Sequence, residues 1–170
     1  RMNAIDDLMR RNPKGMFEDS IQYSALRTQD NAEIAAIDAA VNEPLAFDTE
    51  MGVEVPVRVF RGISVPRYEM AGVLGNFADI DRDGGFETEA YASTSLDIGT
   101  ALRFSTGDSG VSVLLDIEAN RGAYLDDISQ AAGEMEVLLP RDTRYDINES
   151  KWLYDPKREE AILYIRAKQQ

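Results

Sequence analysis

Two textures divide the chain. Up to about residue 47, apolar positions recur at helical spacing. Ile34, Ile37 and Val41 stand among alanines, and Asn42-Glu43-Pro44 ends the pattern. Upstream, Asp19 or Ser20 is placed to cap a segment from about Ile21 to Leu26, with Pro13, Gly15 and Pro44 as punctuation. From Val53 the pattern alternates and becomes β-branched. Val55 to Phe60 predicts a strand that ends at Arg61-Gly62. Tyr68 to Phe77 predicts a short helix, Asp79 to Gly85 a turn-rich loop and Ala90 to Ser95 a short strand. Asp97 caps a helix through Phe104, and a Gly/Ser loop from Ser105 to Gly110 follows. Val111 to Ile117, Gly122 to Leu125, Glu136 to Pro140, Arg144 to Ile147 and Ala161 to Arg166 complete six or seven strands. Helices first and strands after predict an α+β fold with a mainly antiparallel sheet. The expected organisation is one domain over 1–170, with a helical subregion over 1–50 and a β core over 51–170. The opening Arg1-Met2 fits a piece of a longer polypeptide.

Composition narrows the chemistry. The 170 residues carry 18 basic and 31 acidic side chains, a net charge of −13. That disfavours sequence-independent binding to nucleic acid and suits a basic protein partner. No apolar run reaches the length of a membrane span. With neither Cys nor His, the sequence excludes disulfides, thiolate nucleophiles, Ser-His-Asp catalysis and His- or Cys-ligated metals. Catalysis must rest on carboxylates, Arg, Lys, Tyr or hydroxyls.

Within those limits Gly133-Glu134-Met135-Glu136-Val137-Leu138-Leu139-Pro140 stands out. In a strand i and i+2 share a face, so Glu134 and Glu136 are expected to project together while Met135 points the other way. Like charges that close repel, so the pair points to a use outside the strand. Asp79-Ile-Asp81-Arg-Asp83-Gly84 begins like an EF-hand calcium loop, but Ala90 stands at the twelfth position, where Glu is required. The chain contains no Gly-x-Gly-x-x-Gly fingerprint and no P-loop.

Three short motifs follow in order, spaced by about 30 and then about 40 residues: Val59-Phe60-Arg61-Gly62-Ile63, Tyr91-Ala92-Ser93-Thr94-Ser95-Leu96-Asp97, and the Glu-x-Glu segment. Thr143 to Ile147 continues the series. The ordered set resembles the arginine-serine-glutamate class of mono-ADP-ribosyltransferases, related to clostridial binary toxins and to bacterial and phage effectors, over about 55 to 166.

The resemblance implies a split β-sandwich clasping NAD, without metal. By position, Arg61 matches the arginine that holds the NAD phosphates, with Gly62 backbone near the nicotinamide amide. Ser93, in the Ser93-Thr94-Ser95 triplet, matches the serine that orients the catalytic glutamate, and Glu136 matches that glutamate. Phe104 stands where the family places an aromatic near nicotinamide, although packing with Leu102 explains it equally well. Glutamate at position 134 implies an arginine acceptor, since a carboxylate binds a guanidinium and helps remove its proton. The loop Asp126 to Gly133, with Asp127 and Gln130, would meet the target protein. Arg103 and Tyr23 are further candidates for contact with NAD. The implied protein is a secreted or delivered toxin or effector that acts in a target cell's cytoplasm, with a cognate inhibitor or immunity protein as a further partner. Rival readings keep the fold with water or RNA as acceptor, or make the chain a catalytically silent interaction module.

Overall fold

The computed structural model describes residues 20–69, 84–105, 110–125 and 135–170, and the side chains of Ser20–Val41 from residue 31 onward. The chain divides into two compact units, Arg1–Ala39 and Ala40–Gln170. Helix α1, Ser20–Val41, is one 22-residue element in place of the separate segments expected, and it stops where Asn42-Glu43-Pro44 predicts. Expectations for residues before 20, for Tyr68 to Phe77 beyond its first turn, for Asp79 to Asp83, and for Asp126, Asp127, Gln130, Gly133 and Glu134 lie outside the described residues.

The second unit is built on strands. A hairpin of β1 (Phe47–Asp48) and β2 (Val53–Glu54) turns where Asp48 Oδ1 accepts from the backbone of Glu50 (2.9 Å) and Met51 (3.0 Å). Then come β3 (Val57–Pro66), β4 (Gly85–Thr88), β5 (Ala92–Ser95), helix α2 (Ile98–Phe104), β6 (Gly110–Ala119), β7 (Ala123–Tyr124), β8 (Glu136–Leu139), β9 (Thr143–Asp155) and β10 (Glu160–Gln169). Eight of these strands form one sheet in the order β4-β9-β10-β6-β3-β5-β8-β7. Only the β10–β6 pair is parallel.

The sheet is nearly cut in two. A single residue pair, Phe60 with Ser95, joins β3 to β5, whereas β3 meets β6 over its whole length from Val57 to Pro66. Five strands lie on one side of this bridge and three on the other. Val137, Leu139 and Ala92 of the smaller part are buried in one cluster with Val59, Leu115, Ile117, Tyr145 and Ile165 of the larger. The two parts therefore pack face to face while still sharing a bridge. A cleft opens where they diverge.

One strand end differs from expectation. Strand β3 does not end at Arg61-Gly62 but continues to Pro66. Gly62 makes no turn. A Cβ there would lie 1.7 Å from the Ala101 carbonyl oxygen, so glycine is required by the close approach of α2. Strand β8 begins at Glu136, as expected, and Met135 before it has φ 48°. A left-handed residue interrupts the pleat at Met135, and the expectation for Glu134 lies outside the described residues.

Candidate active site

The cleft encloses about 510 Å³. From β3 it takes Arg61 and Gly62, from β5 the triplet Ser93-Thr94-Ser95, from α2 Phe104, and from β8 Glu136. Distant motifs thus converge because β5 pairs with β8, Ser95 opposite Glu136, while β5 meets β3 at the single bridge.

The closest polar contact in the cleft links two of these motifs. Ser93 Oγ donates to Glu136 Oε1 at 2.5 Å. A carboxylate held by a hydroxyl is fixed in direction while its other oxygen stays available. The rest of the triplet serves the backbone. Thr94 Oγ1, buried, donates to the Val137 carbonyl (2.6 Å), and Ser95 Oγ accepts from the Asp97 amide (3.0 Å). Thr94 thereby fastens β5 to β8, and Ser95 sets the turn into α2.

Arg61 is half-buried, and among the described residues it has no carboxylate partner. Burial lowers its pKa from the ordinary value, and the nearby Tyr145 phenol only partly opposes this. A partly dehydrated guanidinium at a cleft wall is a seat for an anion, phosphate above all.

Helix α2 forms the remaining wall. Its N-cap is Asp97, whose carboxylate accepts from the Thr100 amide (2.7 Å) and hydroxyl (2.8 Å); these bonds hold its pKa below the ordinary value. Arg103 donates to Thr100 Oγ1 at 2.8 Å, along its own helix. Phe104 is 60% exposed and lines the cleft, whereas Leu102 packs with Ala101, Leu114 and Ile162. Phe104 is therefore not a core residue. Phe60, Ile63, Ser64, Thr100 and Ala101 also line the cleft and were not singled out from sequence. Alternation places Arg61 and Ile63 together on β3, but nothing local reveals that α2 folds across the strand's other face.

Asp116 was also missed. It is fully buried on the face of β6 opposite the core, where Arg58 grips both its oxygens and Tyr164 donates at 2.5 Å. Burial pushes this carboxyl up, and the bonds from Arg58 and Tyr164 more than offset it, leaving the pKa below the ordinary value. No group of three or more acidic side chains among the described residues is placed to hold a metal.

Arg61, Ser93 and Glu136 thus line one cleft of the split sheet, with Ser93 bonded to Glu136. The chain belongs to the ADP-ribosyltransferase exoenzyme family, which it matches over residues 18–168. Among solved structures it is similar to the ADP-ribosyltransferase Vis in complex with an inhibitor, at 17% identity over 91% of this chain and 63% of that one, with TM-score 0.53. The Vis toxin of Vibrio splendidus matches at 17% identity over 91% and 62%, with TM-score 0.50. ADP-ribosyltransferase HopU1 of Pseudomonas syringae matches at 23% identity over 66% of this chain, with TM-score 0.49; the chain spans 45% of HopU1. No curated protein matches it. Among the described residues no helix is long and apolar enough to cross a membrane.

Proposed function

We propose that this chain is the catalytic part of a toxin or effector that transfers ADP-ribose from NAD to an arginine of a target protein, releasing nicotinamide. The observation that carries the reading is the Ser93–Glu136 hydrogen bond of 2.5 Å, set in the same cleft as Arg61. Arg61 binds the NAD phosphates as a fixed cation. Ser93 holds Glu136 toward the nicotinamide ribose, where its negative charge stabilises the positive charge that develops as the bond to nicotinamide breaks. Phe104 covers the nicotinamide end. Glu134 receives the acceptor guanidinium and takes its proton as the new C–N bond forms. Delivery into a target cell's cytoplasm and a cognate inhibitor belong to the same proposal.

The acceptor is tested with Glu134→Gln. Arginine modification of lysate proteins, mapped by mass spectrometry, is lost while nicotinamide release continues. Unchanged arginine modification in this variant overturns the acceptor assignment. Transfer to water alone in the wild-type protein identifies an NAD glycohydrolase instead. Failure of wild-type protein to bind NAD by calorimetry identifies a catalytically silent module.

A further inference from the structure

Helix α2 carries Phe104 into the cleft, yet it has only seven residues and ends there. A helix this short does not hold its own position. Beside the packing of Ala101 and Leu102 with Leu114 and Ile162, two contacts fix its middle and its end. At its middle, the Ala101 carbonyl rests on Gly62. At its end, Arg158 Nη1 reaches from the β9–β10 turn and donates to the Leu102 carbonyl at 2.8 Å. The same carbonyl accepts from the Ser105 amide (3.2 Å) and the Ser105 hydroxyl (2.8 Å). A cation at a helix C-terminus meets both the unsatisfied carbonyls and the negative end of the helix dipole.

Arg158 is itself braced. Its guanidinium lies 3.6 Å from Asp155 and 3.5 Å from Glu160 Oε1. The turn is tightened where Asp155 Oδ1 accepts from the Lys157 amide (2.9 Å) and where Glu159 adopts φ 55°. Glu160 in turn receives the Ser112 hydroxyl at 3.2 Å, the weaker branch of a bond whose stronger branch goes to the Ser105 carbonyl at 2.9 Å. These contacts tie the β9–β10 turn, β6 and the end of α2 into one bracket, with Phe104 one residue before Ser105.

We propose that Arg158, remote in sequence from every motif of the reaction, is a positioning residue for NAD, acting through Phe104. This rests on the reading of the cleft as an NAD site. Removing the guanidinium takes the cation and one of three donors from the Leu102 carbonyl, which loosens the last turn of α2 and moves Phe104 while leaving the Ser93–Glu136 pair untouched. The effect therefore falls on capture of NAD and not on bond cleavage.

Steady-state nicotinamide release is measured for the wild type, Arg158→Ala, Arg158→Lys, Phe104→Ala and the Arg158→Ala/Phe104→Ala pair. Arg158→Ala should raise KM for NAD about tenfold, the weight of one aromatic contact, with kcat within about twofold. Arg158→Lys, still a donor and a cation, should recover most of that. The double variant should be no worse than Phe104→Ala alone, because both changes act through one contact. Additive effects, or a loss confined to kcat, overturn the proposal. If Arg158→Ala fails to fold, Arg158→Gln and Glu160→Gln carry the test: each should raise KM more in the Phe104 background than in Phe104→Ala, and equal increases overturn it. No nicotinamide release by the wild-type protein would instead refute the NAD reading, which keeps the two failures apart.

Discussion

Arg58 and Arg61 stand on the same strand and face opposite sides of it, and the fold treats their charges in opposite ways. Arg58 closes on Asp116, a fully buried carboxylate, with Tyr164 as a further donor. Its charge is spent on structure, and the pairing drives its pKa upward. Arg61 is half-buried without a carboxylate partner among the described residues, and burial drives its pKa downward. A half-buried charge without a carboxylate partner among the described residues supports the proposal that Arg61 holds an anion. The outer face of β3 and β6 is finished chemistry; the cleft is unfinished.

The strongest way to break this contrast is Glu136→Gln. On the proposed reading nicotinamide release falls by about a thousandfold or more, the scale of losing a charge that faces the transition state. Stability should hold, with Tm shifted by no more than about 2 °C, since Ser93 still finds an amide oxygen to donate to. A large fall in Tm with modest loss of turnover would move the Ser93–Glu136 pair to the structural side of the comparison.

The two arginines come next, and the expected outcomes cross. Arg61→Ala should weaken NAD binding by about ten- to a hundredfold, as expected for loss of a charged grip on phosphate, without loss of stability. Arg58→Ala should cost about 2 kcal/mol in urea unfolding, less than the roughly 3–5 kcal/mol of a fully buried pair, because the Arg58 side chain is exposed and Tyr164 still donates to Asp116. Its effect on turnover should stay within about twofold. Calorimetric titration with NAD beside urea melts of both variants reads all of these, and matching phenotypes would erase the distinction.

How much of this was legible in the sequence follows from which forces are local. The change of texture near Val53, the stop at Pro44 and the Asp97 cap depend on neighbours within a turn, and the structure repeats them. The convergence of Arg61, Ser93 and Glu136 was legible only through the ordered resemblance, since pairing of β5 with β8 spans some 40 residues. The partner of Arg58 was not legible: Asp116 sits in an apolar strand, and its need for a cation appears only once β6 lies between β3 and β10. Gly62 lines the cleft, and the close approach of α2 that also requires glycine there is announced by no strand pattern. The left-handed Met135 just before β8 was not legible either, because alternation assumes an unbroken pleat.

The smallest expected effect tests the outer face by itself. Asp116 titrates in the folded protein below its ordinary value of 3.8, so the native state binds fewer protons than the unfolded chain as the medium becomes acid. Its contribution to stability is then complete above about pH 5 and is lost as the pH falls through the folded-state pKa. In Asp116→Asn the titrating group is gone while the Tyr164 donor keeps an acceptor. Urea unfolding of both proteins from about pH 7 to pH 3 should give a constant gap down to about pH 5 and a narrowing gap below it. A gap that stays constant to pH 3 would show that the attraction of Arg58 for Asp116 does not hold the carboxyl ionised. Tyr164 and the packing around it would then carry the outer face, and Arg58 would stand closer to Arg61 than their surroundings imply.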